Sequence, residues 1–262
     1  MIKTLVSIEV DLAASRAIRF ASQLNYFIPM EIHPVYVKAT PPRELSIGSG
    51  WARHHWEQEI VQQGKAEIME MISSEWEFSP TLKEPRVAYG DREWELLRII
   101  ETERFDVFVD GERFEWTPAN LYRKLHSRLW QRFPGVIGIA RVLRKIEELL
   151  VLCTEIKGVQ PLAQSMSLLW HGSTLPVSLA IPPGAPPDLA QEATRAKEVL
   201  VQAGCQVSLQ ADFPYYPEEP PASGFLRKYG MVALALERRL KKDSPELEWL
   251  SRVKAPLLLR LY

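Results

Sequence analysis

The chain has 262 residues, 46% of them hydrophobic, which is enough for one large domain or two ordinary ones with real cores. Lysine and arginine number 32 against 33 aspartates and glutamates, so no global field exists to hold nucleic acid or an anionic membrane. Cys153 and Cys205 sit in apolar stretches without zinc or redox-pair spacing and read as small buried hydrophobes in a reducing compartment. The opening MIKTLVSIEV reads as neither a secretion signal nor a membrane span, and later apolar runs are strand-sized, so the expectation is a cytoplasmic protein.

Residues 4–10 form a β-branched run expected as a strand, and Ala13, Ala17, Phe20, Ala21 and Leu24 behind Asp11 share one helical face. HPVYV at 33–37 reads as a second strand, with Pro41, Pro42, Gly48 and Gly50 marking the loop after it. The spacing predicts a long helix over 53–73 that turns Trp56, Ile60, Ile68, Met71 and Ile72 inward past the small Gly64. A third strand at 86–89 ends in Gly90 and Asp91, a turn and a helix cap, before a helix over 93–102 expected to bury Trp94, Leu97 and Ile100. DVFV at 106–109 is the fourth strand. Thr117 and Pro118 then supply the cap and first-turn proline of a helix with Leu121, Leu125 and Leu129, and 136–140 is the fifth strand.

From residue 146 the same order begins again. A strand at 148–153 leads into a helix with Val159, Leu162, Ala163, Met166 and Leu169 on one face, followed by a strand at 175–181. After PPGAPPD, Leu189, Ala193, Ala196, Leu200 and Ala203 mark an amphipathic helix that Gly204 ends before a strand at 205–209. Residues 214–221 have little regular pattern, and a short helix is expected over 221–228. MVALAL at 231–236 is the fourth strand of this half, Ser244 and Pro245 open its last helix, and Pro256 leads into LLLRLY.

Alternating strands and helices with near-continuous apolar strands predict parallel sheets covered on both faces. The expected fold class is α/β, with two tandem doubly wound domains, 1–143 and 144–262, each a five-stranded, mostly parallel sheet. The alternative is one continuous ten-stranded sheet or a barrel, although nothing in the pattern supports eight equal units.

The element order, TLVSIE followed by VDLAAS, VAYGDREWELLRII leading to FDVFVDG, and the closing helix and strand of each half together resemble the universal stress protein family in its tandem form. In members that bind ATP, the first strand usually ends in an acid near the adenine and ribose. The loop after the fourth strand carries a G-2x-G-9x-G-[ST] pattern, whose glycines let the backbone approach the phosphates. In the first half Glu9 stands at the family's aspartate and Gly111 at the glycine after the fourth strand. Phe114, however, stands near the first motif glycine, and Tyr122, Arg123 and Lys124 stand where the Gly-Ser pair would be. The loop carrying Asp110, Glu112, Arg113 and Glu115 is net acidic and is expected to repel a triphosphate.

In the second half Thr154 or Glu155 replaces the first-strand acid, and Asp243 and Ser244 fall near the Gly-Ser position. The segment between Leu236 and Asp243 is too short for the two-glycine loop. Arg238, Arg239, Lys241 and Lys242 precede the cap at Ser244, which makes them the candidate anion or nucleotide site; the other reading is a solvated basic loop.

Other constellations read as structural. His54, His55 and His33 lack a spaced third metal ligand, and Ser165, Ser167 and His171 have neither a nucleophile elbow nor an acid in a defined role. The pairs Glu147–Glu148 and Glu218–Glu219 read as solvated helix or strand ends, and most tryptophans, including Trp56, Trp94, Trp116, Trp130 and Trp249, as helix-to-sheet packing.

The resemblance implies a non-enzymatic protein of stress adaptation or regulation, without ATP binding through the usual motif, whose halves pair as an internal pseudo-dimer. The fifth strands, 136–140 and 256–261, are expected near the pseudo-twofold axis, with Leu257, Leu258 and Leu259 as an apolar pairing edge. An ATP-binding stress protein with weak hydrolysis, its site in the second half, is the alternative. A third reading is a regulatory subunit docking through exposed aromatics and the proline-rich segment around Tyr215 and Tyr216. No catalytic residue, metal or cofactor is assigned, ATP belonging only to the alternative. Nucleic acid and membrane are not expected as partners; a homodimer or a regulatory protein is the further partner considered.

Overall fold

Short apolar strands separated by amphipathic helices cover their backbone polar groups by pairing in parallel and bury both faces under helices. The computed structural model, which describes residues 1–9, 12–39, 51–77, 79, 81–219 and 228–262 and only the backbone of 12–14 and 51–54, shows that solution. The strands are β1 Ile2–Ile8, β2 Met30–Lys38, β3 Arg86–Tyr89, β4 Val107–Asp110, β5 Val136–Ile139, β6 Glu148–Leu152, β7 Val177–Ala180, β8 Val207–Gln210, β9 Gly230–Leu236 and β10 Leu257–Leu261. The helices among the described residues are α1 Leu12–Asn25, α2 Trp51–Trp76, α3 Arg92–Thr102, α4 Pro118–Leu125, α5 Arg128–Arg132, α6 Ile156–Leu169, α7 Pro187–Gln202 and α8 Pro245–Arg252. The expected loop residues Pro41, Pro42, Gly48 and Gly50, the cap Asp11, and nearly all of the short helix over 221–228 lie outside the described residues.

The strands form one ten-stranded sheet in the order β3-β2-β1-β4-β5-β10-β9-β6-β7-β8. Each half contributes the same sequence of neighbours, and the second set runs outward from the centre in mirror order. Every pair is parallel except the central one, where β10 lies antiparallel to β5 with Leu258 opposite Gly138 and Leu259 opposite Ile137. The expected fifth-strand pairing is therefore present, and it fuses the two five-stranded sets into the continuous sheet held open as the alternative. An apolar edge such as Leu257–Leu259 is stable only when paired, which supplies the physical reason.

The core is divided by the faces of this sheet. Val6, Val109, Val136, Val151, Ala233 and Leu258 pack with residues of α1, α2, α6 and α7 on one face. Leu5, Phe108, Ile137, Leu150, Leu234 and Leu259 pack with α3, α4, α5 and α8 on the other. Both clusters draw on both halves.

Two arginines latch the halves reciprocally. Arg141, following β5, donates from Nη1 to the carbonyls of Ser251 (2.6 Å) and Val253 (2.8 Å) at the end of α8. Arg238, following β9, donates from its guanidinium to the carbonyls of Gln131 and, at 3.4 Å, Phe133 at the end of α5. Each cation thus serves the unsatisfied carbonyls and negative dipole end of the other half's last helix.

Local signals account for most of the elements. Gly90 takes a φ of 143°, and Asp91 caps α3 by accepting from the Trp94 amide at 3.0 Å. Three expectations are corrected. Trp94 is 54% exposed, with the Arg128 guanidinium 5.0 Å above its ring, because Leu96, Leu97, Ile99 and Ile100 already fill the buried face of α3. The helix opened by Thr117 stops at Leu125, and Ser127 caps a second helix carrying Leu129 and Trp130. Ser244 occupies the cap of α8 but makes no side-chain cap bond, unlike Thr117, which accepts from the Asn120 amide at 3.2 Å.

Candidate functional site

In a doubly wound sheet the carboxyl ends of the strands converge on a crevice where ligands are held. In the first half, β1 runs out through Ser7 and Ile8 into Glu9, and β4 through Asp110 into Gly111. Gly111 lies so close to the neighbouring strand that a Cβ would stand 2.2 Å from the Ser7 carbonyl oxygen, which explains why a glycine follows the strand.

Arg92, the first residue of α3, reaches across the crevice. Its guanidinium meets Glu9 at 3.1 Å, Asp110 at 2.8 Å and Glu112 at 2.8 Å, and it donates to the Ser7 hydroxyl at 2.8 Å. Lys124 of α4 pairs with Asp110 at 3.1 Å and also with Glu112. Trp130 of α5 donates its indole N–H to Asp110 at 3.0 Å, and the Glu112 amide donates to Asp110 at 2.9 Å. Three carboxylates and two cations thus close on one another. Burial works against the Asp110 charge, but Arg92, Lys124 and the donated hydrogen bonds outweigh it and hold its carboxyl at about 2. Burial pushes the Glu9 carboxyl up, opposed by Arg92. The Arg92 cation is opposed by burial and held by the carboxylates of Asp110, Glu112 and Glu9, so its pKa rises.

Beside this network the crevice narrows to a cavity of about 250 Å³ lined by Gly111, Arg113, Phe114, Trp116 and Arg141. That is below the roughly 300–1,000 Å³ of small-molecule sites. Phe114 lies 4.8 Å from Trp116 with the Lys124 ammonium 5.7 Å from its centroid, and Arg141 covers Trp116 at 4.9 Å. Tyr122 is placed apart from the cavity, against His126 at 4.1 Å. The acidity of the 110–115 loop is largely neutralised by Arg92 and Lys124. Obstruction by bulk and by committed charges therefore replaces the simple repulsion expected from the loop's sequence.

In the second half the crevice is filled differently. The Tyr262 hydroxyl donates to Glu155, and the ring packs on α6 so tightly that a Cβ on Gly158 would stand 2.8 Å from it and 2.8 Å from the Ala235 methyl. Tyr215 is only 5% exposed, packed 5.0 Å from Trp249, so it is not available as the docking aromatic; Tyr216 is exposed. Burial and then the charges of Glu246 and Glu155 push the Tyr215 phenol up, and Glu237 adds to the field on Tyr262. The strand ends here are thus surrounded by carboxylates.

Arg238 is committed to the α5 carbonyls, while Arg239, Lys241 and Lys242 are exposed. The first turn of α8, beside Ser244, holds Glu246 and Glu248, which already answer its positive dipole end. Elsewhere His33 pairs with Glu31 at 3.3 Å and His55 with Glu59 at 3.4 Å, and among the described residues no His, Cys, Asp and Glu cluster has metal-holding geometry. The Ser165 and Ser167 hydroxyls bond back to carbonyls of their own helix, at 2.9 Å each. Burial pushes the Cys153 thiol up to about 12, so it is unreactive.

The roles of Arg92, Asp110, Lys124 and Trp130 were not assigned from sequence. The available signal was position: Arg92 two residues after a strand-ending glycine, and Asp110 at the end of a strand, both at carboxyl ends that a parallel sheet brings together.

A sheet with helices on both faces and crevices at its strand ends defines a doubly wound α/β class, here with both crevices occupied by side chains. The particular fold is that of universal stress proteins. A universal stress protein from Archaeoglobus fulgidus DSM 4304 matches with a TM-score of 0.63 and 12% identity, over 98% of this chain and 95% of that one. A functionally unknown protein from Pseudomonas aeruginosa PAO1 matches with a TM-score of 0.51 and 12% identity, over 99% of this chain and 92% of that one. A provisionally named universal stress protein from P. aeruginosa UCBPP-PA14 matches with a TM-score of 0.50 and 12% identity, over the same shares. No family model matches the sequence, and no curated protein matches it. The likeness therefore establishes the fold, along essentially the whole chain. Among the described residues no helix is long and apolar enough to cross a membrane.

Proposed function

We propose that this chain is a non-catalytic universal-stress-like protein of stress adaptation or regulation that does not bind ATP at its strand-end crevices. The observation carrying this reading is the Arg92 network. The cation that could meet a phosphate is already shared by Glu9, Asp110 and Glu112, and Phe114 and Trp116 narrow the space beside it. A nucleotide would have to break these pairs and displace aromatic packing, each a cost of several kcal/mol. Its action then runs through surfaces offered to other macromolecules in a cytoplasmic setting, and exposed Tyr26, Trp94 and Tyr216 are aromatics placed for such contacts.

Calorimetry and thermal shift with ATP and magnesium test this directly. The expected result is no heat of binding and no stabilisation at millimolar nucleotide, whereas saturable binding with a rise in Tm would overturn it. A second reading, an anion site in the second half, is favoured by the Ser244 hydroxyl, which makes no cap bond beside exposed Arg239, Lys241 and Lys242. Its signature is an ATP affinity abolished by reversing those three charges.

A further inference from the structure

Two grooves on the molecule treat their cations oppositely. Along edge strand β3 a groove of about 1100 Å³ is lined by Arg86 and Arg98, but these already have partners in Glu103 and Glu95. At the junction of the halves lies a second groove, of about 710 Å³, between α6 and the chain ends of β4, β5 and β10. That volume falls within the range of small-molecule sites.

Among the described residues, the cations of this junction groove have no ion-pair partner. Arg260 projects from β10 to the same face as Leu258, toward α6. Its Nη1 donates to the Gly135 carbonyl at 3.3 Å, and its Nε is sealed from solvent with no acceptor among the described residues. Neighbouring Arg238, bonded to the Gln131 and Phe133 carbonyls, adds a second positive charge beside it. Burial, and then the Arg238 charge, lower the Arg260 pKa, the mark of a guanidinium short of negative charge. Arg104, on the loop before β4, is exposed on the same groove and has no ion pair among the described residues. Asp106, the one carboxylate in the lining, accepts from the Lys3 amide at 2.9 Å and leaves the lining with two cations, Arg104 and Arg260, against one anion. The rest of the lining mixes apolar Pro134, Pro161 and Leu168, the last 72% exposed on α6, with polar Gln164 and Ser165. Exposed Leu168 beside an excess of positive charge matches a ligand with both characters.

We propose that the junction groove binds an amphiphilic monocarboxylate, a fatty-acid-like anion whose head group lies between Arg104 and Arg260 and whose hydrocarbon chain covers Leu168. Charge complementarity selects the carboxylate, and Leu168 with Pro134 and Pro161 supplies the apolar part of the lining for the chain. Because the groove spans α6 of the second half and β4–β5 of the first, bound ligand would also bridge the halves.

The test is calorimetric titration of the full chain with hexanoate, octanoate and decanoate below their micellar concentrations, and with decanol as the uncharged control. Affinity is expected to rise about fourfold per added methylene, as burial of CH₂ groups requires, and decanol is expected to bind at least about tenfold more weakly than decanoate. Arg104→Glu and Leu168→Glu, both at exposed positions, are expected each to weaken decanoate at least about tenfold while leaving the Tm of the ligand-free protein unchanged. Arg260→Gln is expected to weaken it as well. Absence of decanoate binding at millimolar concentration overturns the proposal, as does equal binding of decanoate and decanol, or binding indifferent to both Arg104→Glu and Leu168→Glu.

Discussion

The two halves place a crevice at the same point of the same architecture and close it with different chemistry. In the first half, charges close it: four ionic side chains around a buried Asp110, with Phe114 and Trp116 beside them. In the second, aromatic packing closes it, Tyr262 on Gly158 and Tyr215 on Trp249, within a field of carboxylates. The contrast teaches that a sheet topology dictates where side chains meet but leaves open whether they meet a ligand or one another. It also separates two kinds of stability, one that depends on protonation and one that depends on shape.

The largest effect is expected on the first side of that comparison. Asp110→Ala leaves Arg92, Lys124 and the Trp130 N–H without their shared acceptor and is expected to cost about 3–5 kcal/mol, read from the urea midpoint. A loss below about 1 kcal/mol would mean that the network is ornamental and the comparison breaks. The acid limb follows from the same residue. Its carboxyl lies at about 2 when folded against 3.8 ordinarily, so its stabilisation is complete above the unfolded value and is lost as pH falls from about 4 to about 2. That loss amounts to about 2 kcal/mol, and Asp110→Asn is expected to remove this limb from the stability–pH curve. Glu9 acts with the opposite sign, since burial raises its pKa, and so it offsets part of the gain.

On the second side, Gly158→Ala is expected to cost about 1–3 kcal/mol through overpacking on Tyr262 and Ala235. Pairing it with Tyr262→Ala should show a favourable coupling of at least about 0.5 kcal/mol in a double-mutant cycle, whereas strict additivity would place the strain elsewhere. The smallest effect belongs to the basic loop. Replacing Arg239, Lys241 or Lys242 singly by alanine is expected to shift stability by no more than about 0.5 kcal/mol, since all three are exposed. Arg238→Ala, by contrast, removes two bonds to α5 carbonyls, and a response no larger than that of its three neighbours would argue against the latch.

Element order, the buried helix faces and the caps at Asp91 and Thr117 were legible in the sequence because each rests on residues within one or two turns of one another. Trp94 misled because hydrophobic character alone does not assign a residue to the buried side of a helix whose core face is already full. The positions Glu9 and Gly111 could be placed by resemblance, but their partner could not. Arg92 lies 83 residues from Glu9 and 18 from Asp110, and only the sheet brings the three together.

By itself, the sequence determined that this chain folds as alternating strands and helices in two like halves, since periodicity and turn chemistry are local and redundant. Only the tertiary structure decided that the halves share one sheet and two common cores, and that Arg141 and Arg238 exchange helix ends across it. It also decided that the crevices are filled from within. Those outcomes depend on which distant charges and rings arrive at the same few ångströms, a matter of three-dimensional register that no local pattern encodes.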